Sequence, residues 1–208
     1  LHSSDHWRAR LPRELGLDPV ANHGLAIGDI NGDGLDDLYV CQQGGLPNRM
    51  FLQNPDGTLR DITHSSGTGW LDYCAAALLV DLDNDGDRDL IVSQDFRVMV
   101  MANDGKGAFT LAFGSSTKAQ SFSLAAADYD NDGFLDFSIC GYNPSQSELR
   151  GGAMGEPMPF HDANNGGPNM LWRNEGNLGF KDVTGVTGMN VNNTRYSFAA
   201  SWEDYDND

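Results

Sequence analysis

The sequence repeats one short acidic motif, D-x-D/N-x-D-G-x-x-D, in full at three places. The complete copies begin at Asp29, Asp81 and Asp128, and a fourth begins at Asp204 and runs to the last residue, Asp208. Their starting points lie 52, 47 and 76 residues apart. Because a recurring unit of about 50 residues is typical of a repeat architecture, we expect the chain to be built from copies of one supersecondary unit.

Each acidic motif lies between two segments that have the composition of strands. A run of small and apolar residues precedes it, as at Ala75–Val80, and a β-branched run follows, as at Leu90–Ser93. The same kind of run at Phe198–Glu203 predicts a first strand before the fourth motif. Two further strand-like runs follow each complete motif and are joined by a turn that contains glycine. The third strand is predicted to end at an asparagine in each unit. These residues are Asn54, Asn103 and Asn174.

Four short strands in a unit of this length are typical of a β-propeller blade. We therefore predict an all-β fold, with residues 1–208 forming a single β-propeller segment of about three four-stranded blades and partial flanking blades. The predicted blades span about 20–66, 71–115 and 119–186, with a partial blade at 194–208 and an insertion at 141–168. Because a closed propeller needs at least about four blades, the chain is expected to be part of a longer protein.

The overall charge narrows the class of partner. Asp and Glu total 30 against 13 Lys and Arg, so the formal net charge is −17. A protein this acidic lacks the basic surface that nucleic acids and anionic lipids require. Its apolar runs are far shorter than the roughly 18 residues of a membrane-spanning helix. We expect the partner to be a protein, a polysaccharide or another copy of the chain, with no nucleic acid and no membrane insertion.

The spacing inside the acidic motifs indicates a metal site. Carboxylates crowded into one tight loop repel each other and raise each other's pKa, and a bound divalent cation removes that repulsion. Ca²⁺ takes six to eight oxygen ligands, whereas Mg²⁺ keeps several waters and zinc prefers His or Cys. A glycine at position 6 lets the backbone reverse, so that the carbonyl of position 7 can face the metal. A solvated acidic turn without metal is the alternative.

An EF-hand is a poor match, because its loop needs a glutamate at position 12 and flanking helices. Position 12 is Val40, Val92 or Ile139 here, inside a strand-like run. The sequence thus predicts about three complete Ca²⁺ sites and a truncated fourth, closed by the aspartate at position 9. The predicted ligands, with position 7 acting through its carbonyl, are Asp29, Asn31, Asp33, Leu35 and Asp37; Asp81, Asp83, Asp85, Asp87 and Asp89; Asp128, Asp130, Asp132, Phe134 and Asp136; and Asp204, Asp206 and Asp208.

The small residues before each acidic loop, the loop itself and the later run Asn174-Glu-Gly-Asn-Leu-Gly-Phe-Lys-Asp-Val-Thr184 resemble the FG-GAP/VCBS repeat family. The branch most similar includes ASPIC/UnbV and cartilage-acidic-protein-like sequences, and the resemblance covers about residues 20–208. It implies a calcium-binding β-propeller related to the head of integrin α chains. Such loops tend to need high ambient calcium, which favours an extracellular, cell-surface or periplasmic protein.

These observations favour a calcium-stabilised extracellular module for binding, adhesion or structure, and no catalytic residue is assigned. A lyase or hydrolase built on the propeller is a less favoured alternative. It would use the insertion at 141–168, where Arg150, His161 and Asp162 lie. A third interpretation is a self-assembling extracellular filament or matrix protein.

The three cysteines, Cys41, Cys74 and Cys140, do not form a dense disulfide framework or a zinc motif. Three buried thiols are the favoured interpretation. One disulfide and one free thiol are the alternative.

Overall fold

The computed structural model describes residues 24–144 and 164–203. In these ranges the chain forms twelve strands and one short helix, α1 (Thr63–Ser66). The strands make three antiparallel sheets of four, and in each sheet the neighbouring strands are consecutive in sequence. The predicted all-β fold with four-stranded units is confirmed.

The strand bounds are as follows. The first sheet contains β1 (Leu25–Gly28), β2 (Asp37–Val40), β3 (Arg49–Gln53) and β4 (Leu59–Asp61). The second contains β5 (Cys74–Val80), β6 (Asp89–Gln94), β7 (Arg97–Asn103) and β8 (Phe109–Ser116). The third contains β9 (Ala119–Ala127), β10 (Asp136–Pro144), β11 (Met170–Asn174) and β12 (Phe180–Asp182).

Each complete acidic loop joins the first and second strands of its sheet, as predicted. In the first sheet, Gly28 at the end of β1 pairs with Asp37 at the start of β2. The last aspartate of the motif has this place in all three sheets, so it is both a loop residue and a strand residue. Asn84 Nδ2 of the second loop donates to the Gly133 carbonyl of the third, at 2.9 Å. The acidic loops of these two sheets are therefore neighbours.

The sheets stack through their first strands, and the alternation of β5 explains how. Successive residues of a strand point to opposite faces. Ala77 and Leu79 belong to the apolar core shared with the first sheet, whereas Ala76 and Leu78 pack in the core shared with the third. Small side chains allow this close approach, since a Cβ on Gly24 would lie 2.5 Å from the Ala75 carbonyl oxygen. A propeller-like series of blades results.

One face of the first sheet carries exposed apolar side chains. Leu25 and Ile27 are 57% and 61% exposed. By register with the acidic motif, they occupy the positions of Ala77 and Leu79 in β5, which are buried against the preceding sheet. In the described ranges no sheet covers Leu25 and Ile27.

The segment Phe198–Glu203, predicted as a first strand, does not form a strand. A strand is defined by hydrogen bonds to a partner, and in the other sheets that partner is the strand that follows the acidic loop. The segment nevertheless packs on the third sheet. The Phe198 ring stacks on Phe122 of β9 with centroids 5.7 Å apart, and Trp202 Nε1 donates to Ser138 Oγ of β10 at 3.1 Å.

The structure also corrects the favoured interpretation of the cysteines. Cys41 and Cys74 form a disulfide, with their Cα atoms 5.0 Å apart, and Cys140 is a buried free thiol. The prediction of three free thiols was therefore wrong, and the alternative of one disulfide and one free thiol is confirmed. The reason is tertiary: Cys41 follows β2 and Cys74 begins β5, where the first two sheets approach each other at the ends distant from the acidic loops.

Removing this cross-link is expected to lower stability. The double variant Cys41→Ala/Cys74→Ala should lose about 2–4 kcal/mol of unfolding free energy, because the disulfide restricts the unfolded chain. Urea denaturation measures the loss, and Cys140→Ala serves as a control that removes a buried thiol without removing a cross-link. Alkylation of three thiols in the denatured, unreduced protein would contradict the pairing.

Candidate metal sites in the acidic loops

The backbone of each acidic loop turns at two left-handed residues, at positions 4 and 6. Glycine has no Cβ and asparagine tolerates this conformation better than most residues, which explains the residue types found there. The glycine at position 6 was anticipated, and the alternation of Gly and Asn at position 4 is the signal that could have revealed the second turn. The φ values are 74° and 82° at Gly32 and Gly34, 63° and 95° at Asn84 and Gly86, and 59° and 91° at Asn131 and Gly133.

The aspartate at position 1 organises the loop around its carboxylate. Asp29 Oδ1 accepts from the amide of Gly32 at 2.8 Å, and Oδ2 accepts from that of Gly34 at 2.8 Å. Burial raises the pKa of Asp29, but its backbone donors, Gly34 first among them, together hold that pKa below its usual value. In the other two loops the amide of position 6 also donates to Oδ2 of position 1. Gly86 donates to Asp81 at 3.1 Å, and Gly133 donates to Asp128 at 2.8 Å.

The aspartate at position 9 anchors the loop to its sheet. Asp37, Asp89 and Asp136 are fully buried. In each, Oδ2 accepts from the amide of position 2, at 3.0, 3.1 and 3.1 Å. Oδ1 accepts from the amide of the last residue of the third strand. These donors are Gln53 at 2.9 Å, Asn103 at 3.1 Å and Asn174 at 2.7 Å.

Carboxylates from positions 1, 3 and 9 converge in the second and third loops. One oxygen from each of the three residues lies within 4.8 Å of the other two. The groups are Asp81, Asp83 and Asp89, and Asp128, Asp130 and Asp136. In the first loop Asn31 stands at position 3, so two carboxylates and an amide replace three carboxylates. These oxygens could hold a metal ion.

The pKa values show that burial, together with neighbouring charges, makes the ionised form of several of these carboxylates unfavourable. Burial raises the pKa of Asp89 to about 6, despite the opposing hydrogen bonds from Asn103 and Leu82. Burial and the nearby charges of Asp85 and Asp81 raise the pKa of Asp83. Burial raises the pKa of Asp37 and of Asp136 in the same way. Each loop therefore contains carboxylates whose charge is unfavourable until something positive neutralises it.

Position 5 does not belong to the converging groups. Its carboxylate turns to the backbone instead, and Oδ1 of Asp33, Asp85 and Asp132 accepts from the amide of position 7 at 2.9, 3.0 and 2.9 Å. Ligation by position 5 and by the carbonyls of position 7 stays a prediction. Asp204, Asp206 and Asp208 of the fourth motif lie outside the described residues. So do Arg150, His161 and Asp162 of the insertion.

The strand register corrects the alignment of the third strands. Leu38 pairs with Phe51, Leu90 pairs with Met101 and Phe137 pairs with Trp172. Counting from these pairs, Gln53 corresponds to Asn103 and Asn174. Asn54, which was aligned with them, lies one residue further and begins the hairpin turn.

A groove of about 810 Å³ opens beside α1, away from the acidic loops. Its lining includes the ion pair of Arg49 with Asp61, together with His64 and Trp70. None of the converging carboxylates lines it, so the candidate metal sites do not face this groove.

Two comparisons with known proteins agree with this geometry. The FG-GAP-like repeat profile matches residues 29–92 and 81–138, which together make up more than half of the chain and include all three complete acidic loops. Cartilage acidic protein 1 of Xenopus tropicalis is 29% identical over 171 residues, an alignment that covers 74% of this chain and 26% of that protein. The chain thus spans about a quarter of that relative's length. With four-stranded antiparallel sheets, an acidic loop after each first strand and two overlapping profile matches, the chain belongs to the FG-GAP-like repeat family.

Proposed function

We propose that this chain is a calcium-stabilised β-propeller segment of an extracellular binding or structural module, with one Ca²⁺ in each of the three complete acidic loops. The convergence of oxygens from positions 1, 3 and 9 in the second and third loops supports the proposal, and the first loop is included because it repeats the same motif and backbone turns. These side chains offer only oxygen, which suits a hard cation such as Ca²⁺ better than zinc. Each proposed calcium site lies in a loop that joins the first and second strands of a sheet, and not in a pocket.

The proposed calcium acts on stability rather than on chemistry. Asp89 is a candidate ligand and also accepts hydrogen bonds from Leu82 and Asn103, so a cation held there would fix the loop against the sheet. Neutralising the carboxylates would also relieve the repulsion from Asp85 and Asp81, which adds to burial in raising the pKa of Asp83. Calcium is thus proposed to hold the strands of each blade together.

Calcium supply and similarity to a known protein support the proposed extracellular setting. Loops of this kind tend to need ambient calcium well above cytosolic levels. The relative found by comparison is named for cartilage, and we extend an extracellular setting to this chain on that basis. The proposed partner is a protein, a polysaccharide or a second copy of the chain. Within residues 24–144 and 164–203, no helix has the length and apolar character needed to cross a bilayer.

Titration calorimetry tests the proposal directly. At pH 7.5 the chain is expected to bind about three Ca²⁺ ions, and Mg²⁺ at the same concentration should bind far more weakly because it gives up its waters reluctantly. Absence of calcium binding to the folded chain would contradict the proposal.

Calcium binding is expected to weaken as the pH falls. Because burial raises the pKa of Asp89 to about 6, calcium must displace a proton at pH 5 but not at pH 7.5. The competition should weaken the apparent affinity of the second loop by about tenfold for this group alone. Calorimetry at the two pH values measures the effect, and equal affinities would contradict it.

The metal-free chain should show the opposite trend in stability. The folded-state pKa of Asp89 lies above its unfolded value of 3.8, so the folded state binds the proton more tightly. Its contribution to stability is complete below pH 4 and is lost as the pH rises through about 6. Thermal unfolding in EDTA across this range is the matching control.

A further inference from the structure

Two asparagine side chains cross from one sheet to the acidic loop of the preceding sheet. Asn103 Nδ2, at the end of β7, donates to the Ile30 carbonyl in the first loop at 2.8 Å. Asn174 Nδ2, at the end of β11, donates to the Leu82 carbonyl in the second loop at 2.7 Å. Each also donates to position 8 of its own loop. Those acceptors are the Arg88 and Leu135 carbonyls, both at 3.1 Å.

The surrounding bonds fix the orientation of these carboxamides. Asn103 Oδ1 accepts from the Gly107 amide at 3.2 Å, and Asn174 Oδ1 accepts from the Gly176 amide at 3.0 Å. Backbone carbonyls can only accept, so the NH₂ group must face them. Asn174 is fully buried. Loss of its side chain would leave the buried Leu82 carbonyl without its donor, which is costly.

The second residue of each of these two loops links the asparagine of the next sheet to the position-9 aspartate of its own loop, through its carbonyl and its amide. The Leu82 carbonyl accepts from Asn174, and the Leu82 amide donates to Asp89 at 3.1 Å. The Ile30 carbonyl and amide do the same with Asn103 and Asp37. One hydrogen-bonded path therefore runs through all three sheets. Its members in order are Asp136, Asn174, Leu82, Asp89, Asn103, Ile30 and Asp37.

Apolar packing holds the same second residue in place. Ile30 and Leu82 are fully buried in the two cores between sheets. A Cβ on Gly107, in the turn after β7, would lie 3.3 Å from Ile30 Cδ1. The first and second loops thus each meet the next sheet at their second residue, through both its side chain and its carbonyl. The second loop also contacts the third directly, through Asn84 and the Gly133 carbonyl.

We propose that Asn103 and Asn174 are positioning residues that couple neighbouring calcium loops, so that an ion in one loop favours binding in the next. The proposal rests on the proposed calcium function. A bound ion fixes the aspartate at position 9, and the path transmits that order to the second residue of the preceding loop. Ordering that has already occurred need not be repeated when the next ion binds, which gives positive cooperativity.

A double-mutant cycle on the full 208-residue chain tests the coupling. Asp130→Asn weakens the proposed third site, because it replaces an exposed carboxylate with the neutral amide that the first loop has at this position, and it does not touch the path. Calcium affinity of the second loop is then read from hydrogen–deuterium exchange of peptides covering residues 81–89 during a Ca²⁺ titration. We expect Asp130→Asn to weaken binding in the second loop about fivefold when Asn174 is present, and to have no such effect in Asn174→Ala.

Two variants control for general damage. Asn103→Ala interrupts the path on the other side of the second loop, so the effect of Asp130→Asn should persist in it. Asn54→Ala removes a carboxamide whose bond, to Thr58 Oγ1, stays within one hairpin, and the coupling should be unchanged. If Asn174→Ala does not fold, the same cycle with Asn103→Ala and Asp83→Asn, read in the first loop, replaces it.

The outcomes separate the two proposals. Equal weakening in the presence and absence of Asn174, or no weakening in the chain that retains it, would overturn the coupling and leave calcium binding intact. Absence of calcium-dependent protection in every loop of the unsubstituted chain would overturn the proposed function, and the coupling with it.

Discussion

Excess EDTA is expected to lower the midpoint of thermal unfolding of this chain by roughly 15–30 °C. A ligand present at about 100 times its dissociation constant stabilises the folded state by about 2.7 kcal/mol. Three such sites contribute about 8 kcal/mol, and a domain of this size shifts by about 2–4 °C for each kcal/mol. Calorimetric or circular-dichroism melting in calcium and in EDTA measures the change.

Charge repulsion makes the direction of this effect clear. The formal net charge is −17, and three ions of charge +2 would reduce it to −11. Burial raises the pKa of Asp37, Asp89 and Asp136, so the metal-free loops hold charge at a cost. Adding calcium in excess of EDTA should restore the transition, whereas magnesium should restore little of it. An unchanged midpoint in EDTA would contradict a stabilising role.

The features that the sequence predicts well are local ones. The acidic motif specifies its own turn, because Asp at position 1 binds amides at most five residues away and Gly34 adopts the left-handed conformation that it favours. Strands such as β6 are predicted because an apolar run lies on each side of the acidic motif, and the motif reverses the direction of the chain between the two runs. Repetition then reveals the four-stranded unit, since three copies show the same order of elements.

The features that the sequence did not predict depend on distances between sheets. Nothing in the spacing of Cys41 and Cys74 shows that their Cα atoms lie 5.0 Å apart. Because an asparagine follows the third apolar run in every repeat, the sequence suggested that Asn54 is equivalent to Asn103. Only the pairing of Leu38 with Phe51 shows that Gln53 is the equivalent residue at the end of its strand. Helix α1 escaped prediction because four residues are too few for helical periodicity.

Substitution of the buried aspartate is expected to be more damaging than loss of a single ion. Asp89→Asn replaces an oxygen that faces an amide with an NH₂ group, so one of the donors, Leu82 or Asn103, loses its acceptor. That costs about 1–3 kcal/mol even in EDTA. In calcium the second site is lost as well, and the total reaches about 4 kcal/mol or more. Urea denaturation in the two buffers separates the contributions.

Asp83→Asn is the matched control, since it makes the same chemical change in the same loop. No amide of the sheet depends on Asp83, and its charge is opposed by burial and by Asp85 and Asp81, which together raise its pKa. The variant should therefore lose stability in calcium but equal or exceed the unsubstituted chain in EDTA. Asp89→Asn should be less stable in both buffers. If the two variants respond alike in EDTA, position 9 is a ligand only, and the anchoring of each loop to its sheet through this aspartate is wrong.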